Sequence, residues 1–140
     1  MIREARFEDL DSVYRFICNL EDSQFDFDTF CSIYNKNIIN PDFLYFVAIH
    51  NDKIIGFISC HTQYLLHHCG KVGEIQELYI DSDYRNKGFG RLLISEIIKI
   101  AKINNFKSLE VTSNKKRTEN VQIYEQYGFQ LTHNKFTMQI

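Results

Sequence analysis

Residues Val72–Leu93 read VGEIQELYIDSDYRNKGFGRLL. The first nine, Val72–Ile80, alternate apolar side chains with carboxylates and amides, which predicts a strand. A short polar turn, Asp81-Ser82-Asp83, follows. Two glycines and three cations (Arg85, Lys87, Gly88, Gly90, Arg91) then stand before an apolar face of Leu92, Leu93, Ile97 and Ile100, whose 3.6-residue period predicts a helix opening at Gly88. SLEVTS (Ser108–Ser113) reads as the next strand. Strand, glycine loop, helix and strand make one βαβ crossover. Glycines at the mouth of a helix let backbone N–H groups approach an anion, and the helix dipole favours negative charge there, so the loop is a candidate phosphate cradle. A dinucleotide fingerprint requires a third glycine where Leu93 stands, and a P-loop requires lysine after the second glycine, where Arg91 stands. Both are excluded.

Working outward, Ile2–Ala5 predicts a short strand, and Leu10, Val13, Ile17 and Leu20 recur at helical spacing. Asp26 and Asp28 are caps for a second helix carrying Phe27, Phe30, Cys31, Tyr34 and Ile38, with Pro41 beyond its end. FLYFVAI (Phe43–Ile49), a turn at His50–Lys53 and IIGFISCH (Ile54–His61) predict an antiparallel hairpin, followed by a polar bridge through His67, His68, Gly70 and Lys71. TENVQIYEQYG (Thr118–Gly128) predicts a short helix with a glycine C-cap, and Phe129–Ile140 one or two closing strands. The expected class is α/β (α+β), a mixed, mostly antiparallel central sheet with about four flanking helices.

The chain has 140 residues, six glycines and one proline, and shows no linker or repeat, so a single domain, 1–140, is expected. Its net charge of −2 carries no basic stripe interleaved with aromatics, which argues against a nucleic-acid partner. The charged start MIREARFEDLD and the shortness of FLYFVAI argue against a signal peptide and a membrane span, so a cytoplasmic protein is expected. Cys18, Cys31, Cys60 and Cys69 form no CxxC pair and read as reduced packing residues.

Arg-x-x-Gly-x-Gly directly after a carboxylate-rich strand resembles the acetyl-coenzyme A loop of the GCN5-related N-acetyltransferase (GNAT) superfamily. The likeness spans the chain. IREARFEDLDSVYRF is similar to that family's first strand and helix, ELYIDSDYRNKGFGRLLI to its central motif, and IYEQYGF to its tyrosine-bearing helix end. A closer resemblance, to bacterial aminoalkylphosphonate N-acetyltransferases, lies in Phe25-Asp26, His61-x-Gln63, Leu66-His67-His68, Gly73–Leu78, Lys116-Arg117, His133 and Phe136-Thr137.

The resemblance implies a GNAT-type fold with a βαβ coenzyme A site and transfer of acetyl from acetyl-CoA, as cosubstrate, to the primary amine of a small molecule. It places the pyrophosphate on Arg85, Asn86, Lys87, Gly88, Phe89, Gly90 and Arg91, and the pantetheine arm along the backbone of Leu78, Tyr79 and Ile80. It implies that Tyr124 protonates the departing thiolate. Many family members carry asparagine seven residues before that tyrosine. Here Arg117 stands there, with Asn114 or Asn120 as replacements near the pantetheine.

An alkylamine is almost fully protonated at neutral pH, so the transfer needs a base. On a regular strand Glu74 and Gln76 share one face and Ile75 and Glu77 the other, unless a bulge intervenes. By resemblance Glu74 is the preferred base, directly or through water, with Glu77 the alternative; either could instead serve an ion pair. His61, Gln63, His67, His68, Gln76 and Arg117 are the acceptor-side candidates, and Arg117 is equally readable as a solvated charge. Adjacent His67 and His68 point apart on an extended backbone, so no protein metal site is expected, although a divalent ion bridging to a phosphonate is allowed. A homodimer is allowed. Alternative readings are a polyamine, aminoglycoside or protein N-terminus as acceptor, or a non-catalytic acetyl-CoA sensor.

Overall fold

The computed structural model describes residues 1–140. Five strands, β1 (Ile2–Glu4), β2 (Phe43–His50), β3 (Lys53–Leu65), β4 (Gly70–Ile80) and β5 (Ser108–Val111), form one sheet in the order β1-β2-β3-β4-β5. The first four are antiparallel neighbours, and β5 runs parallel to β4 through the crossover helix α3 (Phe89–Ile103). The other helices are α1 (Leu10–Glu21), α2 (Phe27–Ile38) and α4 (Glu119–Gln126). No helix is long and apolar enough to cross a membrane.

The alternation of side chains gives the sheet two cores. On one face Ile58, Cys60 and Ile75 pack with Leu93, Ile94 and Ile97 of α3. On the other, Val47, Phe57 and Tyr79 pack with Val13 and Phe16 of α1 and Tyr34 of α2. The helix ends follow the sequence signals. Asp26 Oδ2 accepts the Thr29 N–H at 2.9 Å as the N-cap of α2. At the end of α4, Gly128 takes φ +96°, its N–H donates to the Glu125 carbonyl at 3.0 Å, and the Phe129 N–H donates to the Tyr124 carbonyl at 3.1 Å. This is a Schellman termination.

Two expectations change. The polar bridge after His61 is not a long connection, because β3 continues to Leu65 and a single 3-10 turn, Leu66–His68, leads into β4 at Gly70. Phe129–Ile140 forms no strand. Beyond Phe129 the apolar side chains Leu131, Phe136, Met138 and Ile140 are exposed.

Asp9, 1% exposed, joins the first strand to α1. It accepts a bidentate pair from Arg3, Nη1 to Oδ2 at 2.7 Å and Nη2 to Oδ1 at 2.9 Å, and the Arg6 N–H at 2.7 Å. Burial works to raise its pKa, but the Arg3 hydrogen bonds, the Arg6 N–H and the two arginine charges outweigh it and hold the carboxyl below its ordinary value. The stability it contributes is therefore full above the unfolded aspartate value of about 4 and is lost as pH falls through the lower folded value. Asp9→Asn is expected to cost about 3 kcal/mol at pH 7 by stranding Arg3, and to flatten the acid limb of stability. Urea unfolding at pH 7 and pH 3 checks this: a variant with the wild-type pH slope would remove Asp9 from that role.

Candidate active site

Strand β4 is paired with β5 only from Val72 to Ile75, opposite Ser108 to Val111. From Gln76 to Ile80 that edge is free, because the chain after Val111 turns away from the sheet. An open wedge results, with Glu74 at its foot and the glycine loop at its top. The free edge runs past Leu78, Tyr79 and Ile80, and apart from the Ile80 carbonyl, which accepts from Arg85, its outward backbone groups are a template for an extended amide-bearing chain.

At the top of the wedge, Asn86 (φ 60°) and Gly88 (φ 89°) turn the chain into α3. The N–H groups of Phe89, Gly90 and Arg91 in its first turn have no intrahelical acceptor and line up on one end of the helix. A Cβ on Gly88 would meet nothing within 4 Å, so glycine is required there by its φ and not by crowding. Arg85 is fixed by its Nε–H donating to the Ile80 carbonyl at 2.9 Å, and its guanidinium lies 5.2 Å from the Tyr79 ring. Lys87 Nζ donates to the Asp83 carbonyl at 3.0 Å, and Arg91 lies over the Tyr127 ring at 5.8 Å. A cationic, donor-rich end directly beyond a free strand edge matches a pyrophosphate followed by a pantetheine arm, so the residues present fit acetyl-CoA.

A bulge intervenes in β4. Ser59 pairs with Glu77 and Cys60 with Ile75, so Gln76 is the extra residue and is exposed. Glu74, opposite His61, and Glu77, opposite Ser59, therefore project from the same face, the one covered by α1 and α2. The strict alternation expected from the sequence fails here for that reason. Glu74 is half-buried, and the Thr112 hydroxyl, on the chain leaving β5, donates to its Oε1 at 3.1 Å. Glu77 is deeper. The Ser59 hydroxyl donates to its Oε2 and accepts the Glu77 N–H at 3.1 Å, which locks the carboxylate to the strand. Burial pushes the Glu77 pKa up; the Ser59 hydrogen bond opposes this, and the charge of Glu21 adds to it.

His61 stacks on Phe43 with ring centroids 4.0 Å apart, and its buried Nε2 has no hydrogen-bond partner. Burial lowers its pKa, opposed in part by the Glu74 charge, so the ring is neutral at pH 7. Gln63, two residues on, shares the His61 face. His67 and His68 occupy the 3-10 turn between β3 and β4, and His68 reaches along the sheet so that its Nε2 lies 3.7 Å from Oε1 of Glu110, the β5 residue paired with Glu74. Their backbone is helical, not extended, so the two rings meet at 4.4 Å. No group of three potential metal ligands is assembled.

Tyr124 sits on α4 at the position whose carbonyl accepts the capping bond from Phe129, and the two rings meet edge to face at 5.9 Å. That contact is the apolar partner of the Schellman motif, so the same termination that stops α4 aims Tyr124. Burial raises its pKa against the opposing charge of Arg117, with Tyr127 adding to the rise. Asn114 and Asn120 are engaged locally, Asn114 Oδ1 accepting the Lys116 N–H at 2.9 Å and Asn120 Nδ2 donating to Ser113 Oγ at 3.2 Å. Arg117 reaches across the wedge, its Nη2 donating to the Leu20 carbonyl at 2.5 Å. Sequence reasoning missed Ser59, Thr112 and Glu21. Only Ser59 carried a signal, as a lone hydroxyl in the apolar run IIGFIS.

Comparison with known proteins agrees with this geometry. The model of the acetyltransferase (GNAT) family matches residues 5–129. An aminoalkylphosphonate N-acetyltransferase of Salmonella typhimurium is 33% identical over 136 residues, 97% of this chain and 88% of its own length. A structure described as a transcriptional regulator from Bacillus halodurans superposes with a TM-score of 0.91 at 21% identity, covering 100% of this chain and 99% of that one. A possible acetyltransferase from Clostridium difficile superposes with a TM-score of 0.87 at 24% identity, covering 100% and 97%. At those identities the structural likeness speaks to the fold. With the family match over nearly its whole length, the chain belongs to the acetyltransferase (GNAT) family, whose members are acetyl-CoA-dependent acyltransferases.

Proposed function

We propose that this protein is a single-domain, cytoplasmic N-acetyltransferase that acetylates the primary amine of a small molecule, an aminoalkylphosphonate. The observation that carries the acyl-transfer reading is the wedge, a free edge at Gln76–Ile80 running from Glu74 to the donor-rich start of α3. Acetyl-CoA supplies the activated acetyl thioester. The strand edge and the loop orient it, and Glu74 removes a proton from the acceptor ammonium, directly or through water. Outward backbone N–H groups of the free edge would donate to the thioester oxygen as it gains charge. Tyr124, held protonated at neutral pH, returns a proton to the departing sulfur. The four free thiols suit a reducing compartment.

The relative's substrate supports a phosphonate acceptor, and Arg117 and neutral His61 are the residues proposed to meet it. A second reading, a cationic amine, is favoured by Glu21 and Glu77, two carboxylates near enough that the Glu21 charge adds to the rise of the Glu77 pKa. A thiol-release assay over 2-aminoethylphosphonate, 1-aminoalkylphosphonates, polyamines and aminoglycosides, with and without a chelator, separates the two. The expected result is the highest kcat/KM for a phosphonate. A polyamine or aminoglycoside preferred over every phosphonate would overturn the acceptor assignment.

A further inference from the structure

The loop between β5 and α4 is tied to the far wall of the wedge by one side chain. Arg117 Nη2 donates to the Leu20 carbonyl at 2.5 Å and lies 3.9 Å from Glu21 Oε2, a contact between positions 97 residues apart in the chain. Its own backbone is fixed, since its N–H donates to the Asn114 carbonyl at 2.9 Å and its carbonyl accepts from Asn120 at 3.0 Å. Leu20 is in the last turn of α1, where carbonyls lack intrahelical donors and the helix dipole attracts a cation. Glu21 is the last residue of that helix, and Asp22 (φ 48°) turns the chain away beside a cavity of about 420 Å³ lined by Cys18, Asn19, Asp22, Ser23 and Gln24.

The pair is within electrostatic reach of both candidate catalytic sides. The Glu21 charge is felt at Glu77 and the Arg117 charge at Tyr124. At 3.9 Å the Glu21 contact is a loose ion pair and not a hydrogen bond, with side chains 50% and 34% exposed. The Leu20 carbonyl occupies one N–H of a planar fork that has five. The fork thus keeps donors in a geometry that matches the oxygens of a phosphonate or carboxylate, while Glu21 partly cancels its charge.

We propose that Glu21 sets the charge preference of the acceptor site: it holds and partly neutralises Arg117, and the anionic group of an acceptor takes its place on the guanidinium. This inference rests on the acetyltransferase reading above and names how its acceptor is chosen. An amine with an anionic tail exchanges one anion for another at Arg117. A diamine brings a second cation toward an arginine that Glu21 alone shields.

The test is the ratio of kcat/KM for 2-aminoethylphosphonate to that for 1,3-diaminopropane. In Glu21→Gln the ratio is expected to rise about fivefold, the scale of a partly exposed ion pair, through KM and with kcat little changed. In Arg117→Gln it should fall about tenfold, and Glu21→Gln added to Arg117→Gln should have no further effect on it. An unchanged ratio in Glu21→Gln, the same rise with Arg117 absent, or equal losses on both amines with a lowered Tm would overturn the proposal. If the wild type ignores 2-aminoethylphosphonate, the phosphonate assignment falls by itself. The ratio taken between β-alanine and the diamine then decides the role of Glu21 by the same outcomes.

Discussion

Tyr124→Phe is expected to lower kcat by about 10²-fold and leave the thermal midpoint within experimental error of wild type. The stability half follows from packing. Phenylalanine keeps the edge-to-face contact with Phe129 and the apolar contact that accompanies the Gly128 termination, and removes only a hydroxyl. The kinetic half follows from protonation. Burial holds the Tyr124 phenol above its ordinary value near 10, so at neutral pH the proton is present and available to the sulfur that leaves. In the wild type, activity should therefore fall as pH rises through that elevated value, and the variant should lack this basic limb. Steady-state thiol release from pH 6 to 11 measures both. A kcat within twofold of wild type with the basic limb intact would remove Tyr124 from the chemistry.

The parts of the molecule that depend on neighbouring residues could be read from the chain. Asp26 caps α2, Gly128 ends α4, and the loop through Gly88 and Gly90 opens α3, because each is a local hydrogen-bonding or φ requirement. The parts that depend on pairing could not. GEIQEL alternates without a break, and nothing in it marks Gln76 as the residue that β3 leaves unpaired; the bulge depends on Ser59 and Cys60, which are remote in sequence. The same holds for Arg117, whose partners on α1 come nearly a hundred residues earlier, so a cation at a helix start is indistinguishable from a solvated one until the wedge is formed. His67 and His68 are placed by pairing as well: the turn that holds them lies four residues from Glu74 along β4, yet His68 meets Glu110, the cross-strand partner of Glu74. The pattern of Phe136, Met138 and Ile140 satisfies a strand, but alternation alone supplies no partner for it.

The bulge also makes the assignment of the base a sharp experimental question, because it presents two carboxylates to one cleft. Glu74→Gln is expected to reduce kcat/KM at pH 7 by 10² to 10³-fold, and Glu77→Gln by no more than about tenfold. Position separates them. Glu74 stands where β5 leaves β4, half-buried and held by the Thr112 hydroxyl from the departing chain, so it can both meet an ammonium and return its proton to water. Glu77 is held by Ser59 through its side chain and its own N–H, and its burial favours the protonated form, which suits a group that shapes the cleft more than one that cycles a proton. Glutamine at 77 preserves the contact with Ser59, whereas glutamine at 74 cannot accept the proton at all. Without its base, the variant depends on acceptor that is already neutral, a fraction that grows about tenfold per pH unit until the amine's own value near 10. The Glu74→Gln defect should therefore shrink steadily from pH 7 to pH 9.5, a recovery that simple misfolding would not produce. Reversal of the two magnitudes would move the base to Glu77, and a defect in Glu74→Gln that stays constant with pH would mean that the carboxylate binds the acceptor without deprotonating it.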